Sequence, residues 1–123
     1  MLFDSRYFWA VFTEDDQEVL AKLKSILGRT KSVFASSVSV YEVYKLTLAH
    51  EGKDVAELRA ATIKKQFTVV DVSAEIAEEG ARIGHRLSVP MADALIMATA
   101  KRLRVACVTD DPHFTEVKTI WIR

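Results

Sequence analysis

The hydrophobic positions of this chain fall into short runs separated by longer, periodically apolar stretches. Five runs read as β-strands: Met1-Leu2-Phe3, Ser32 to Ser36, Phe67 to Val72, Arg104 to Thr109 and Lys118 to Ile122. The stretches between them read as helices. Ser5 is placed to cap a short helix from Arg6 to Phe12, and Thr13 to cap a second from Glu14 to Leu27. In the second, Glu14, Asp15 and Asp16 come early and Lys22 and Lys24 late, which suits the helix dipole, and Gly28 stops it. A third runs from about Val38 to His50, with Val40, Val43, Leu46 and Leu48 apolar and Glu42 in its first turn; Gly52 ends it. Asp54 caps a fourth, to about Lys65, and Ser73 opens a fifth, to about Arg86.

The stretch from Pro90 to Ala100 differs from the others. Nearly every position is apolar or small, so its helix is greasy on all sides and belongs in the middle of the molecule. Pro90 suits the first helical position and Ser88 the cap. One charge, Asp93, sits in the first turn, where an acid complements the dipole even without a further role. Short strands alternating with helices require crossover connections. The expected architecture is therefore a three-layer α/β/α sandwich around a mostly parallel five-stranded sheet, one domain over residues 1–123.

Charge narrows the functional classes. The 123 residues carry 17 basic and 17 acidic side chains and a formal net charge of zero. No global field draws such a protein to nucleic acid, so any such binding rests on a local patch or a metal. The single Cys107, inside a strand, excludes an internal disulfide and a cysteine-based zinc site. Asp4 and Arg6 interrupt the first apolar run, against a signal peptide, and no run approaches the ~18 residues of a membrane span. A cytoplasmic location and no membrane partner are the expectation.

The acids carry the chemistry. In open α/β sheets ligands bind outside the carboxyl ends of the strands. Asp4 ends the first strand, Glu42 opens the helix after the second, Asp93 opens the helix before the fourth, and Asp110 and Asp111 follow the fourth. Four segments thus bring carboxylates to one rim, where they repel one another unless a cation lies between them. Hard oxygen donors favour Mg²⁺ or Mn²⁺ over zinc, and such a centre suits phosphodiester hydrolysis. Competing folds lack their signatures. A receiver domain needs an acidic pair after the first strand and a lysine after the last. A dinucleotide site needs a glycine-rich first turn, and the four glycines here are elsewhere. A haloacid-dehalogenase-like phosphatase needs a second aspartate where Arg6 stands.

Taken in order, Leu2-Phe3-Asp4-Ser5, Ser39-Val40-Tyr41-Glu42-Val43, Met91 to Ala100 and Val108-Thr109-Asp110-Asp111-Pro112-His113-Phe114 resemble the four motifs of PIN-domain nucleases. The third and fourth are the specific ones, and the closest resemblance is to the VapC toxins of toxin–antitoxin pairs. The resemblance implies a Mg²⁺- or Mn²⁺-dependent endoribonuclease with Asp4, Glu42, Asp93 and Asp111 as catalytic, metal-binding acids. The family's fourth-motif aspartate stands two after a threonine and three before a phenylalanine. Thr109 and Phe114 put that role on Asp111, with Asp110 as an accessory metal-binding acid. Thr109 would orient an acid or a water. Ser5 stands where threonine is commoner, and Arg6 where asparagine or a small residue is often seen. The implied partners are an RNA substrate, a VapB-like antitoxin and a second copy in a homodimer. The alternatives are a non-catalytic PIN-like module that binds RNA or protein, and a house-keeping RNA-processing nuclease.

Other residues read more plainly. His113 is expected at the surface rather than as a base or phosphate contact, and His50 and His85 as structural. Tyr7, Phe8 and Trp9 read as core or dimer packing ahead of base stacking. Lys64-Lys65, Lys101-Arg102 and Arg104 read as solvated helix ends.

Overall fold

The computed structural model describes residues 1–122. Five strands, β1 (Leu2–Phe3), β2 (Phe34–Ser36), β3 (Thr68–Val70), β4 (Cys107–Thr109) and β5 (Thr119–Trp121), form one sheet in the order β3-β2-β1-β4-β5. Every neighbouring pair is parallel. The connections are helical: α1 (Ser5–Thr13), α2 (Gln17–Ser25), α3 (Ser37–Glu51), α4 (Lys53–Gln66), α5 (Ala74–Leu87) and α6 (Met91–Leu103). Central β1 pairs Leu2 with Phe34 on one side and with Cys107 on the other.

The strands are two or three residues long, yet their alternation sorts the whole core. Leu2 and Cys107 belong to a cluster with Ile76 and Ile83 of α5 and Ile96 and Met97 of α6. Phe3, Ala35 and Val108 point the other way, to Tyr7 and Phe8 of α1, Val43 of α3 and Ile63 of α4. Both faces are covered, as a parallel sheet requires. The expected three-layer sandwich is the observed one.

Helix α6 is the greasy helix of the sequence, with Ala94, Ile96, Met97, Ala98, Thr99 and Ala100 all buried. It lies close against α5 because residue 80 is glycine: a Cβ there would stand 2.7 Å from Leu95 Cδ2. No helix among the described residues is long and apolar enough to cross a membrane.

Most helix ends differ from the sequence reading, through capping chemistry. Asp4, not Ser5, caps α1, its carboxylate accepting the Ser5 amide. Thr13 is the last residue of α1, and Asp16 caps α2 by accepting from the amides of Glu18 and Val19, so Glu14 lies before that helix. A 3₁₀ turn over Ile26–Arg29 replaces its expected last turn. Ser36 caps α3, which begins at Ser37, one residue before the expected start, and Glu42, its sixth residue, lies in the second turn rather than the first. Gly52, at φ +87°, joins α3 directly to α4 in a conformation that side chains disfavour, leaving Asp54 inside the first turn rather than at the cap. Ser88 is the left-handed C-cap of α5, and Pro90 takes the N-cap of α6. Ser73 caps α5 as expected, accepting from the Ile76 amide.

Candidate active site

All five strands being parallel, their carboxyl ends share one rim. Asp4 leaves β1, Ser36 leads β2 into α3 with Glu42 on its second turn, Asp110 and Asp111 leave β4, and Asp93 comes in on the first turn of α6. These five acids, with Ser5 and Arg6, line one cleft of about 530 Å³. Residues separated by more than a hundred positions therefore meet at one place.

Each acid is held differently. Asp4 is 2% exposed. Its Oδ1 accepts the Ser5 amide at 2.7 Å and its Oδ2 accepts the Thr109 hydroxyl at 2.8 Å. Thr109 Oγ1 in turn accepts the Asp111 amide at 3.0 Å, so one threonine fixes both acids. The Ser5 hydroxyl, 2.6 Å from Glu42 Oε1 and 2.9 Å from Ser39 Oγ, ties α1 to α3. Asp110 pairs with Arg6, whose side chain is half exposed. Asp111 instead turns towards Asp93. The geometry separates the two neighbouring acids: one bound to a cation of the chain, the other beside a second carboxylate.

His113 is exposed, as expected of a surface residue, and it also reaches the acids. Its Nδ1 lies 2.8 Å from Asp111 Oδ1 and 3.3 Å from Asp93 Oδ2, and its amide donates to Asp111 Oδ1 at 2.9 Å. The signal was the Asp-Pro-His turn, in which an aspartate accepts the amide two residues on and so folds the third residue back over itself. Trp9 is the other surprise. It lines the same cleft, whereas its neighbours Tyr7 and Phe8 are core. His50 packs edge-on against Trp9.

The electrostatics follow from burial and crowding. Burial pushes the Asp4 carboxyl up to about 7, against the hydrogen bonds from Thr109 and Ser5, and the charges of Asp93 and Glu42 push the same way. Burial also pushes Asp93 up to about 6, with Asp111 the next cause. Arg6 is held further above its ordinary range, chiefly by its hydrogen bond to Asp110. Crowded, desolvated carboxylates with raised proton affinity are characteristic of sites that receive a cation.

The donor set fits one. Asp93, Asp111 and His113 each offer a ligand atom, and the three atoms lie within 4.8 Å of one another. Two carboxylates suit Mg²⁺ or Mn²⁺, and the imidazole nitrogen softens the set. Asp4 and Glu42 line the same cleft, oriented by hydrogen bonds as ligating or second-layer carboxylates usually are.

A sequence profile of the PIN domain matches residues 1–120. No curated protein sequence matches the chain. Solved structures do. A toxin–antitoxin complex from Klebsiella pneumoniae shares 19% identity and a TM-score of 0.76 over 99% of this chain and 97% of that one. DNA-bound VapBC from Salmonella typhimurium gives 13% and 0.80, over 99% and 97%. VapC20 from Mycobacterium tuberculosis, a toxin cleaving the sarcin–ricin loop, gives 17% and 0.73, over 86% and 85%. At such identities the likeness is one of fold.

Proposed function

The chain belongs to the PIN-domain family, and from that premise we propose that it is a metal-dependent endoribonuclease, the toxin of a VapBC-type pair. The observation that carries the reading is the meeting of Asp4, Glu42, Asp93 and Asp111 in one cleft, with raised proton affinity at two of them. The likeness in fold to toxin–antitoxin structures supports the toxin role. The whole chain, residues 1–123, serves as one such domain, acting in the cytoplasm.

Asp93, Asp111 and His113 would hold Mg²⁺ or Mn²⁺, with Asp4, Glu42 and the accessory Asp110 around them. A bound divalent cation there supplies an acidified water and neutralises charge on the phosphate. The residues of the chain do the positioning. Thr109 and the Ser5 amide keep Asp4 aimed into the cleft. The Ser5 hydroxyl does the same for Glu42. Arg6, half exposed at the cleft edge, is placed to meet a phosphate while it neutralises Asp110. Water attacks phosphorus and the 3′ oxygen departs, leaving 5′-phosphate and 3′-hydroxyl ends. Cleavage of looped or single-stranded RNA that stops in EDTA and returns with Mn²⁺ is the expected result; activity undiminished by chelator, or 2′,3′-cyclic phosphate ends, overturns it.

The partners are an RNA, a VapB-like antitoxin and a second copy of the chain. Tyr41 and Leu48, seven residues apart on one face of α3, are 62% and 44% exposed, an apolar surface that a partner would cover. A dimer mass by light scattering at micromolar concentration is expected, and a clean monomer mass counts against the pairing.

A further inference from the structure

This inference rests on the ribonuclease reading and concerns how the substrate is held beside the acids. The cleft does not end at the carboxylates. It continues along α1 and α3 to Trp9, Ala10 and Leu46. Helical spacing is the reason. Ser5 and Trp9 stand four residues apart on α1, one above the other and about 6 Å apart along the axis. Ser39, Glu42 and Leu46 form the facing stripe on α3, and the Ser5 hydroxyl reaches across to the first two. Trp9 is one helical turn beyond the acids.

The indole is braced rather than buried. The guanidinium carbon of Arg59, on α4, lies over the ring at 5.7 Å from its centroid. Arg59 is itself fixed, donating to Thr47 Oγ1 at 3.2 Å and the Phe12 carbonyl at 3.3 Å and pairing with Glu51. The His50 ring meets the indole edge at 5.6 Å and 63°. A large flat ring, partly exposed, backed by a buried cation and lining the cleft that holds the acids, presents a rigid surface for another flat ring. Tyr7 and Phe8 beside it are each 2% exposed and have no such access.

We infer that Trp9 is the stacking platform for the base of a nucleotide next to the phosphate at the acids. The substrate is then RNA with unpaired bases, since a paired stem keeps its base faces stacked and out of reach. Stacking of one base on an aromatic side chain changes affinity about 5- to 150-fold.

The test is a coupling experiment. A short single-stranded RNA with one cut site is compared with copies in which a single abasic residue is moved along the strand. Trp9→Leu keeps an apolar side chain but removes the stacking face; Trp9→Phe restores a smaller one. In the parent, one abasic position beside the cut should lower kcat/KM about 10-fold, mainly through KM. Trp9→Leu should show a similar loss on intact RNA and no further loss at that abasic position, and Trp9→Phe should recover part of it. Equal losses at every abasic position, or losses that add in Trp9→Leu, overturn the assignment. If Trp9→Leu has no melting transition, the abasic scan on the parent and on Trp9→Phe decides. Binding is read separately. The chain has 2 tryptophans, so Trp121→Phe leaves Trp9 as the fluorophore. In EDTA, intact RNA should quench it saturably and the abasic copy should not. Quenching without cleavage in Mn²⁺ overturns the ribonuclease reading alone, whereas cleavage without quenching overturns the stacking.

Discussion

Two clusters of charged side chains sit on α6, one at each end, and they have opposite electrostatic outcomes. Near its C-terminus, Lys101 lies 3.3 Å from Glu79 and 3.8 Å from Glu116, while Arg82 pairs with Glu79 at 2.9 Å and Arg86 with Glu116 at 2.6 Å. The hydrogen bond from Arg82, then that from Lys101, holds the Glu79 carboxyl below its ordinary value. At the N-terminus, Asp93 meets Asp111, and burial and repulsion push its carboxyl up to about 6. In the first cluster each acid has at least two cations of the chain beside it. In the second, Asp93 and Asp111 share only His113, so carboxylates outnumber their cationic partners.

The largest effect expected from this contrast is on cleavage. Loss of outer-layer partners of a metal site costs about 10–100-fold, so Asp93→Asn should lower RNA cleavage by at least about 100-fold, while Glu79→Gln should stay within twofold. Comparable losses in both variants would erase the distinction between the clusters.

The next effect is on stability, and it carries a sign. Asp4 and Asp93 have folded pKa values of about 7 and about 6, above the unfolded value near ~3.9. A raised carboxyl stabilises the fold fully below pH ~4, and that contribution is lost as pH rises through 6 and 7. In EDTA the parent should therefore melt lower at pH 8 than at pH 5, and Asp93→Asn should show a shallower decline and be at least as stable as the parent at pH 8. Mn²⁺ at ~100 times its Kd adds about 2.7 kcal/mol to the parent, reversing the ranking. A metal response that survives Asp93→Asn unchanged places the cation elsewhere.

Packing, not ion pairing, should hold α5 to α6. Gly80→Ala drives a methyl into Leu95 and should cost about 1–3 kcal/mol by denaturant unfolding. A cost near zero would mean that Leu95 moves aside freely. Smallest of all, Lys101→Met should change stability by no more than about 0.5 kcal/mol, less at high salt, because the ion pairs it breaks are exposed.

The fold was legible because its cues are redundant. Greasy all round, the Pro90–Ala100 stretch had to be central, and it is α6 against both β4's layer and α5. The acids were legible as a set because parallel strands send every carboxyl end to one rim. The helix starts were less so. Aspartate, serine and threonine all cap, and which of Asp4 or Ser5, Thr13 or Asp16, takes the role depends on backbone angles that tertiary contacts choose. His113 was legible as a surface residue but not as a neighbour of Asp93 and Asp111, because those partners lie on separate segments and only the turn brings it back to them. Trp9 was read as packing because its cleft is made jointly by two helices whose facing is not written in either.

The bond from Thr109 to Asp4 spans 105 residues. For a chain made from its N-terminus, that span is also an interval of time. A growing chain carries Asp4 and Glu42 well before Asp93 and Asp111 exist, a gap of several seconds at about 5–20 residues per second. Until β4 is made and docks beside β1, Asp4 has no threonine to orient it and the central strand has an open edge. A fragment released by a stalled ribosome before Cys107 would therefore lack the assembled site, whatever helices it had already formed. No complete acid cleft exists until the chain has grown past Asp111.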